Sequence, residues 1–129
     1  MQHLRKGRKF KRVRSQRKAL HKALLGNFIL HEKMQTTEAK AKEVKILIDR
    51  IINKAKKIQD PEKKVAVIRD LRTNLSAVVV KKLSGDFTNR FSGRTSGYAR
   101  VIKLAPRKSD NARMAMIEFV DQPQHHKGV

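Results

Sequence analysis

The chain contains no cysteine, so disulfides, thiolate metal sites and thiol chemistry are all excluded, and a reducing compartment suits it. It has no tryptophan, one tyrosine and five phenylalanines, too few rings for a platform that stacks single-stranded bases. No apolar run approaches the roughly 18 residues of a membrane-spanning helix. The phosphate-cradling patterns GxxxxGK[ST] and GxGxxG are missing. The basic start is not followed by the apolar stretch and small-residue cleavage site of a secretory signal. Positions 1 to 14 also lack the serines and the amphipathic period of a mitochondrial transit peptide, so they read as part of the working protein.

Acidic residues are the scarcest resource. Eleven Asp and Glu face thirty-two Lys and Arg, a formal charge of +21 on 129 residues. A chain this short can bury one core, but self-repulsion at that charge opposes compaction unless a polyanion neutralises it. Nucleic acid is the first candidate. The charge is also polarised along the chain. In RKGRKFKRVRSQRKALHK, residues 5 to 22, ten of eighteen positions are Lys or Arg, and the first acidic residue is Glu32.

The pattern of apolar residues divides the chain into a basic arm at 1–14, a globular α/β domain at 15–121 and a loose tail at 122–129. The arm has few apolar groups to order it unaided. Ser15 is a candidate N-cap for a helix over 16–31, with Leu20, Leu24 and Phe28 recurring every fourth residue beside Ala23 and Leu25. EKMQTT, 32 to 37, reads as a brief strand. Thr37 then caps a second helix, with Glu38 opposing the dipole. Ala41, Val44, Ile48, Ile51, Ala55 and Ile58 give it a stripe of spacing 3-4-3-4-3, which predicts a core-facing helix rather than a free coiled coil.

DPEKK, 60 to 64, predicts a third helix start, with Asp60 as N-cap, Pro61 at its first position, and Val65, Ile68, Leu71 and Leu75 on its buried face. SAVVVKKLSG, 76 to 85, is ambiguous, since three valines favour a strand and the flanking Ser76 and Gly85 favour a short helix. Residues 84–97 read as a loop. YARVIKL and MAMIEFV read as two strands of a hairpin whose long loop carries Arg107 and Lys108.

No arrangement of residues suggests catalysis. The five histidines have no paired carboxylates at a useful spacing, and the adjacent His125 and His126 lie on the tail, so no cofactor and no metal are expected. The basic residues are the candidate site. Arm residues Arg5, Lys6, Arg8, Lys9, Lys11, Arg12 and Arg14 could reach many phosphates, and the polar side of the first helix continues them with Arg17, Lys18 and Lys22. Lys40 and Lys42 open the second helix. Arg90, Arg94 and Arg100 interleave with Phe87, Phe91 and Tyr98, rings that read first as core against the sheet. Irregularly folded RNA suits a pliant arm better than uniform duplex DNA does.

The order of motifs then adds a resemblance. MQHLRKGRKFKR, SQRKAL, HEKMQTTEAKAKEVK, SGYARVIKL and MAMIEFVD together resemble the bacterial-type large-subunit ribosomal protein seventeen family over residues 1 to 121. HExxxTTxxKAKE, His31 to Glu43, is the most specific piece. Leu4, Gln16 and Ser109 depart from the family pattern, standing where a basic residue, His and Gly are usual. The resemblance implies an α+β fold, several helices packed on a small three-stranded mixed sheet, with 76–85 helical and 32–37 the first strand. It also implies a non-catalytic constituent of the large ribosomal subunit, in the cytoplasm. There it would bind large-subunit ribosomal RNA near the exit of the peptide tunnel, beside neighbouring ribosomal proteins, with no membrane and no small-molecule substrate. The competing class is a basic DNA-binding or nucleoid-compacting protein, for which the chain offers no clear recognition helix and no further dimer seam. A membrane-surface role fits poorly with helices whose apolar stripes a core would use.

Overall fold

The structure is a computed structural model that describes residues 8–120. Four α-helices and three strands follow one another as α1 (Arg14–His31), β1 (Lys33–Thr37), α2 (Glu38–Lys56), α3 (Lys64–Asn74), α4 (Ala77–Ser84), β2 (Ala99–Lys103) and β3 (Met114–Phe119). Short 3-10 helices at Lys57–Gln59 and Asp86–Phe91 complete the set. The fold is α+β. Its sheet has the order β1-β3-β2, and both pairings are antiparallel, so no mixed sheet is present among these strands. Parallel neighbours need a long crossover. Here β2 and β3 are joined as a hairpin, and β1 enters on the far side of β3 in the same antiparallel sense.

Alternation along β3 decides which face is buried. Ala115, Ile117 and Phe119 are buried, whereas Met114, Met116 and Glu118 alternate on the other side. α2 contacts all three strands, and every residue of its 3-4-3-4-3 stripe is buried. That stripe is therefore the core seam, as its spacing requires.

Phe119 gathers the aromatic residues. Phe28 from α1 stacks on it at 4.2 Å between centroids, Phe87 meets it edge-on at 5.1 Å, and Phe91 lies at 5.4 Å and itself meets Tyr98 edge-on. Phe87, Phe91 and Tyr98 are all buried, so these rings belong to the core.

The helix boundaries show where local signals are overridden. α1 begins at Arg14 behind Val13, with no side-chain cap, rather than behind Ser15. Its buried face is Leu25, Phe28 and Ile29, with Leu20 and Leu24 half-buried and Ala23 exposed. Gly26 is explained by close packing, since a Cβ there would stand 3.4 Å from Cγ2 of Val79 in α4. At the third helix, the Asp60 carboxylate does accept the Glu62 N–H at 3.1 Å, but residues 61–63 form a turn and α3 proper starts at Lys64. Leu71 and Leu75 are buried, while Val65 is 60 % exposed and Val67 takes its place against the core. Residues 76–85 resolve as α4 behind Ser76.

The glycine- and serine-rich segment before β2 contains the second 3-10 helix and is fastened to the flank of α2. Asp49 accepts the backbone N–H groups of Gly97 and Tyr98 at 3.3 and 3.2 Å. One and two turns on, the Tyr98 hydroxyl donates to Asn53 at 2.5 Å and accepts from Lys56 at 2.8 Å. Gly97 sits at φ +66°, where a side chain would be strained.

Candidate nucleic-acid interface

Geometry sorts the cations into those engaged within the chain and those that face outward. Glu32 is the centre of the first group. It closes α1 at φ 63°, its N–H bonded to the Phe28 carbonyl at 2.7 Å. Its carboxylate receives Lys82 at 3.0 Å and Arg90, which also lies over the Phe87 and Phe91 rings. Burial pushes the Glu32 carboxyl up, but hydrogen bonds and charge from Arg90 and Lys82 together bring it below its ordinary value. Arg90 is thus held on the protein's own carboxylate.

Other candidates are engaged in the same way. Lys42 pairs with Glu38 at 2.8 Å, Arg100 with Glu118 at 2.9 Å, and Arg107 grips Asp110 through two bonds of 2.9 and 2.7 Å. That fork, with the Ala112 N–H, lowers the Asp110 carboxyl to about 2 and shapes the hairpin loop. The Arg94 carbonyl accepts from Lys56, tying residue 94 to α2, and lies 3.1 Å from the Tyr98 hydroxyl oxygen. Lys108 is exposed on the loop and Lys40 is half-buried.

The second group lies on α1 and the residues just before it. α1 contains no acidic residue. Before it, Phe10 and Lys11 form a turn with φ of 51° and 55°, closed by the Arg12 N–H on the Lys9 carbonyl at 3.1 Å. Arg12 donates back to the Phe10 carbonyl at 3.0 Å, and Arg17 lies 3.5 Å from the Arg12 carbonyl. Arg8 reaches the buried Glu43 of α2 at 3.4 Å. These contacts leave Lys9, Lys11, Arg14, Lys18 and Lys22 exposed, with no acidic partner among the described residues. Arg5 and Lys6, like His125 and His126, lie outside the described residues.

A cleft of about 220 Å³ opens between α1, α2 and α3. Lys18, His21 and Lys22 form one wall, Arg50 and Lys54 face them from α2, and Leu25, Leu47 and Ile51 contribute apolar lining. Lys54 pairs with Asp70 of α3 at 2.9 Å. Nε2 of His21 is buried without a hydrogen-bond partner, and the Phe10 ring packs edge-on against its imidazole at 6.3 Å. Arg50 and Lys54 were not among the residues that sequence reasoning singled out. Their signal was a cation pair four apart flanking Ile51, overshadowed by the core stripe on the same helix.

Among the described residues no group of three His, Cys, Asp or Glu could hold a metal ion, and no helix is long and apolar enough to cross a membrane. Comparison with known proteins gives one consistent result. The family model for ribosomal protein L17 matches residues 20–120. The Large ribosomal subunit protein bL17 of Thermodesulfovibrio yellowstonii is 42% identical over 127 residues, covering 98% of this chain and 92% of that protein. The proteins of the same name from Oenococcus oeni and Sorangium cellulosum are 41% and 35% identical, covering 88% and 95% of this chain and 98% and 85% of their own lengths.

Proposed function

The chain belongs to the ribosomal protein L17 family, and from that premise we propose that it is a structural constituent of the large ribosomal subunit, holding large-subunit ribosomal RNA through its basic start and α1. The observation that carries this reading is the run of exposed cations Lys9, Lys11, Arg14, Lys18 and Lys22 on a stretch with no acidic residue before Glu32. Each phosphate neutralised releases counterions, which steepens the fall of log affinity with log salt by about 0.7 to 0.9.

The core rings fix the mode of recognition. Phe28, Phe87, Phe91, Tyr98 and Phe119 are buried and the half-buried Phe10 packs edge-on against His21, so the described residues present no row of exposed rings for stacking bases. Selectivity then comes from RNA shape, with phosphate contacts fixing the register. Arg5 and Lys6, outside the described residues, add two further cations to the basic start, and Arg8 and Arg12 shape the turn that presents the described ones. Arg17 adds to them on α1 and Lys40 on α2, with Lys42 a weaker contributor because it is already paired with Glu38. Arg100, Arg107 and Lys108 on the sheet and its hairpin form a second, weaker contribution, because two of the three are already paired within the chain.

The role is structural rather than catalytic, and its place is the cytoplasmic ribosome near the exit of the peptide tunnel, against neighbouring ribosomal proteins. Within the chain, residues 1–14 act as the RNA-reaching arm, 15–121 as one globular unit and 122–129 as a tail. Sedimentation of a source-cell lysate through a sucrose gradient tests the assignment. The chain should comigrate with the large subunit through moderate salt. A signal confined to soluble or chromosomal fractions would overturn it.

A further inference from the structure

Two rows of cations confront each other across the α1–α2 cleft. On α1, Arg14, Lys18 and Lys22 follow at intervals of four and so stand on one side of the helix. On α2, Arg50 and Lys54 are likewise four apart. Lys18 and Lys22 line the cleft opposite Arg50 and Lys54, and among the described residues only Lys54 has an acidic partner, Asp70. Facing cations repel, and a partly apolar lining weakens solvent screening between them. An anion seated between the rows reverses the sign of that energy.

We propose that this cleft is a second RNA-backbone site, distinct from the arm, in which α2 contributes Arg50 and Lys54 to a phosphodiester held from the other side by Lys18 and Lys22. The inference rests on the ribosomal-RNA reading and sharpens it, because it assigns RNA contacts to a helix otherwise occupied with the core. Continuity argues for RNA over a free phosphate. Lys18 lines both this cleft and the adjoining surface depression formed by Val13, Arg14 and Ser15, so one strand leaving the arm runs directly into the cleft. The lining of Leu25, Leu47 and Ile51 offers apolar surface to the sugar, while the cation rows take the phosphates.

The test uses the full chain and an in vitro transcript of the large-subunit ribosomal RNA, with affinity measured across a salt series. Arg50→Gln with Lys54→Gln should lower the salt slope by about 1.4 to 1.8, the equivalent of two phosphate contacts. Lys18→Gln with Lys22→Gln, on the facing row, should lower it by a similar amount. All four side chains lie outside the core, and thermal melting by circular dichroism confirms that each variant is folded. An unchanged slope for the α2 pair, beside a reduced slope for the α1 pair, would put the RNA on the outer face of α1 and overturn the cleft site. Unchanged slopes for both pairs would overturn it as well. A wild-type chain that fails to bind the transcript at any salt would instead contradict the RNA reading itself, and the cleft with it.

Discussion

Glu32 shows how much a single side chain can hold. It ends α1 in the left-handed region, a conformation that costs a non-glycine residue about 1 kcal/mol. The strain is offset because its carboxylate gathers Lys82 and Arg90, 50 and 58 residues away in sequence. Glu32→Ala keeps the strain and loses the pairs, and with the site about a third exposed the loss should be about 1 to 2 kcal/mol. Glu32→Gly loses the pairs but relieves the strain, so it should melt above Glu32→Ala. The reverse order in a denaturant or thermal series would show that the backbone at this position is unstrained. Nothing local marks this role. The sequence reading therefore assigned Arg90 to RNA, since its partner could be found only once the chain had folded back on itself.

Asp110 makes a pH-dependent statement at the same scale. Its carboxyl is lowered from 3.8 to about 2, first by the Arg107 hydrogen bond and then by the Ala112 N–H. A depressed folded value means that the contribution to stability is present above the unfolded value and is lost as pH falls through the folded one. The hairpin loop should therefore keep its order down to about pH 4 and loosen between there and pH 2. An NMR titration of the Asp110 carboxyl checks this. A midpoint near the ordinary value would mean that the Arg107 fork does not persist in solution.

At the scale of elements, α2 was the most legible part of the chain. Its stripe repeated long enough to fix one face, and that face carries the core. Ile48→Ala or Ile52→Ala, each at a fully buried position, should cost about 2 to 5 kcal/mol, whereas Val65→Ala on α3 should fall within about 0.5 kcal/mol of wild type. Denaturant midpoints will separate them. A large effect at Val65 would mean that α3 is rotated from its described position. The 3-3-4 spacing of Val65, Ile68, Leu71 and Leu75 placed Val65 inward. The Asp60 turn delays α3 to Lys64, and the few apolar residues of α3 left either phase open.

The same limit explains α1, where Ser15 is an attractive cap but the chain becomes helical one residue earlier. It also explains α4. Three valines favour a strand locally, and tertiary packing of Val79 and Val80 into the core overrides that preference. Sheet order and the direction of β1 had no local signal, so the expected mixed sheet gave way to an antiparallel one.

At the scale of the whole molecule, charge was legible at once and its geometry was not. Composition predicted a polyanionic partner, and the long stretch before Glu32 showed where the cations concentrate. Which cations are engaged within the chain depends on local pairs, Lys42 with Glu38 and Arg107 with Asp110, and on distant ones, Arg90 with Glu32 and Arg100 with Glu118. Lys42, Arg90, Arg100 and Arg107 are held on carboxylates of the chain, while Arg50 joins Lys18 and Lys22 across a cleft that exists only after α1 and α2 pack. The fold thus spends most of its few acidic residues on internal pairs, which leaves Lys9, Lys11, Arg14, Lys18 and Lys22 without an acidic partner among the described residues.

The most direct measurement is the affinity of the full chain for large-subunit ribosomal RNA, set against small-subunit ribosomal RNA and duplex DNA of matched length from 50 to 300 mM salt. If RNA shape guides the basic surface, the large-subunit RNA will bind most tightly, and its advantage will persist as salt removes the non-specific part of each affinity. Equal affinities that collapse together with rising salt would contradict the account and reduce the basic surface to an unselective polycation.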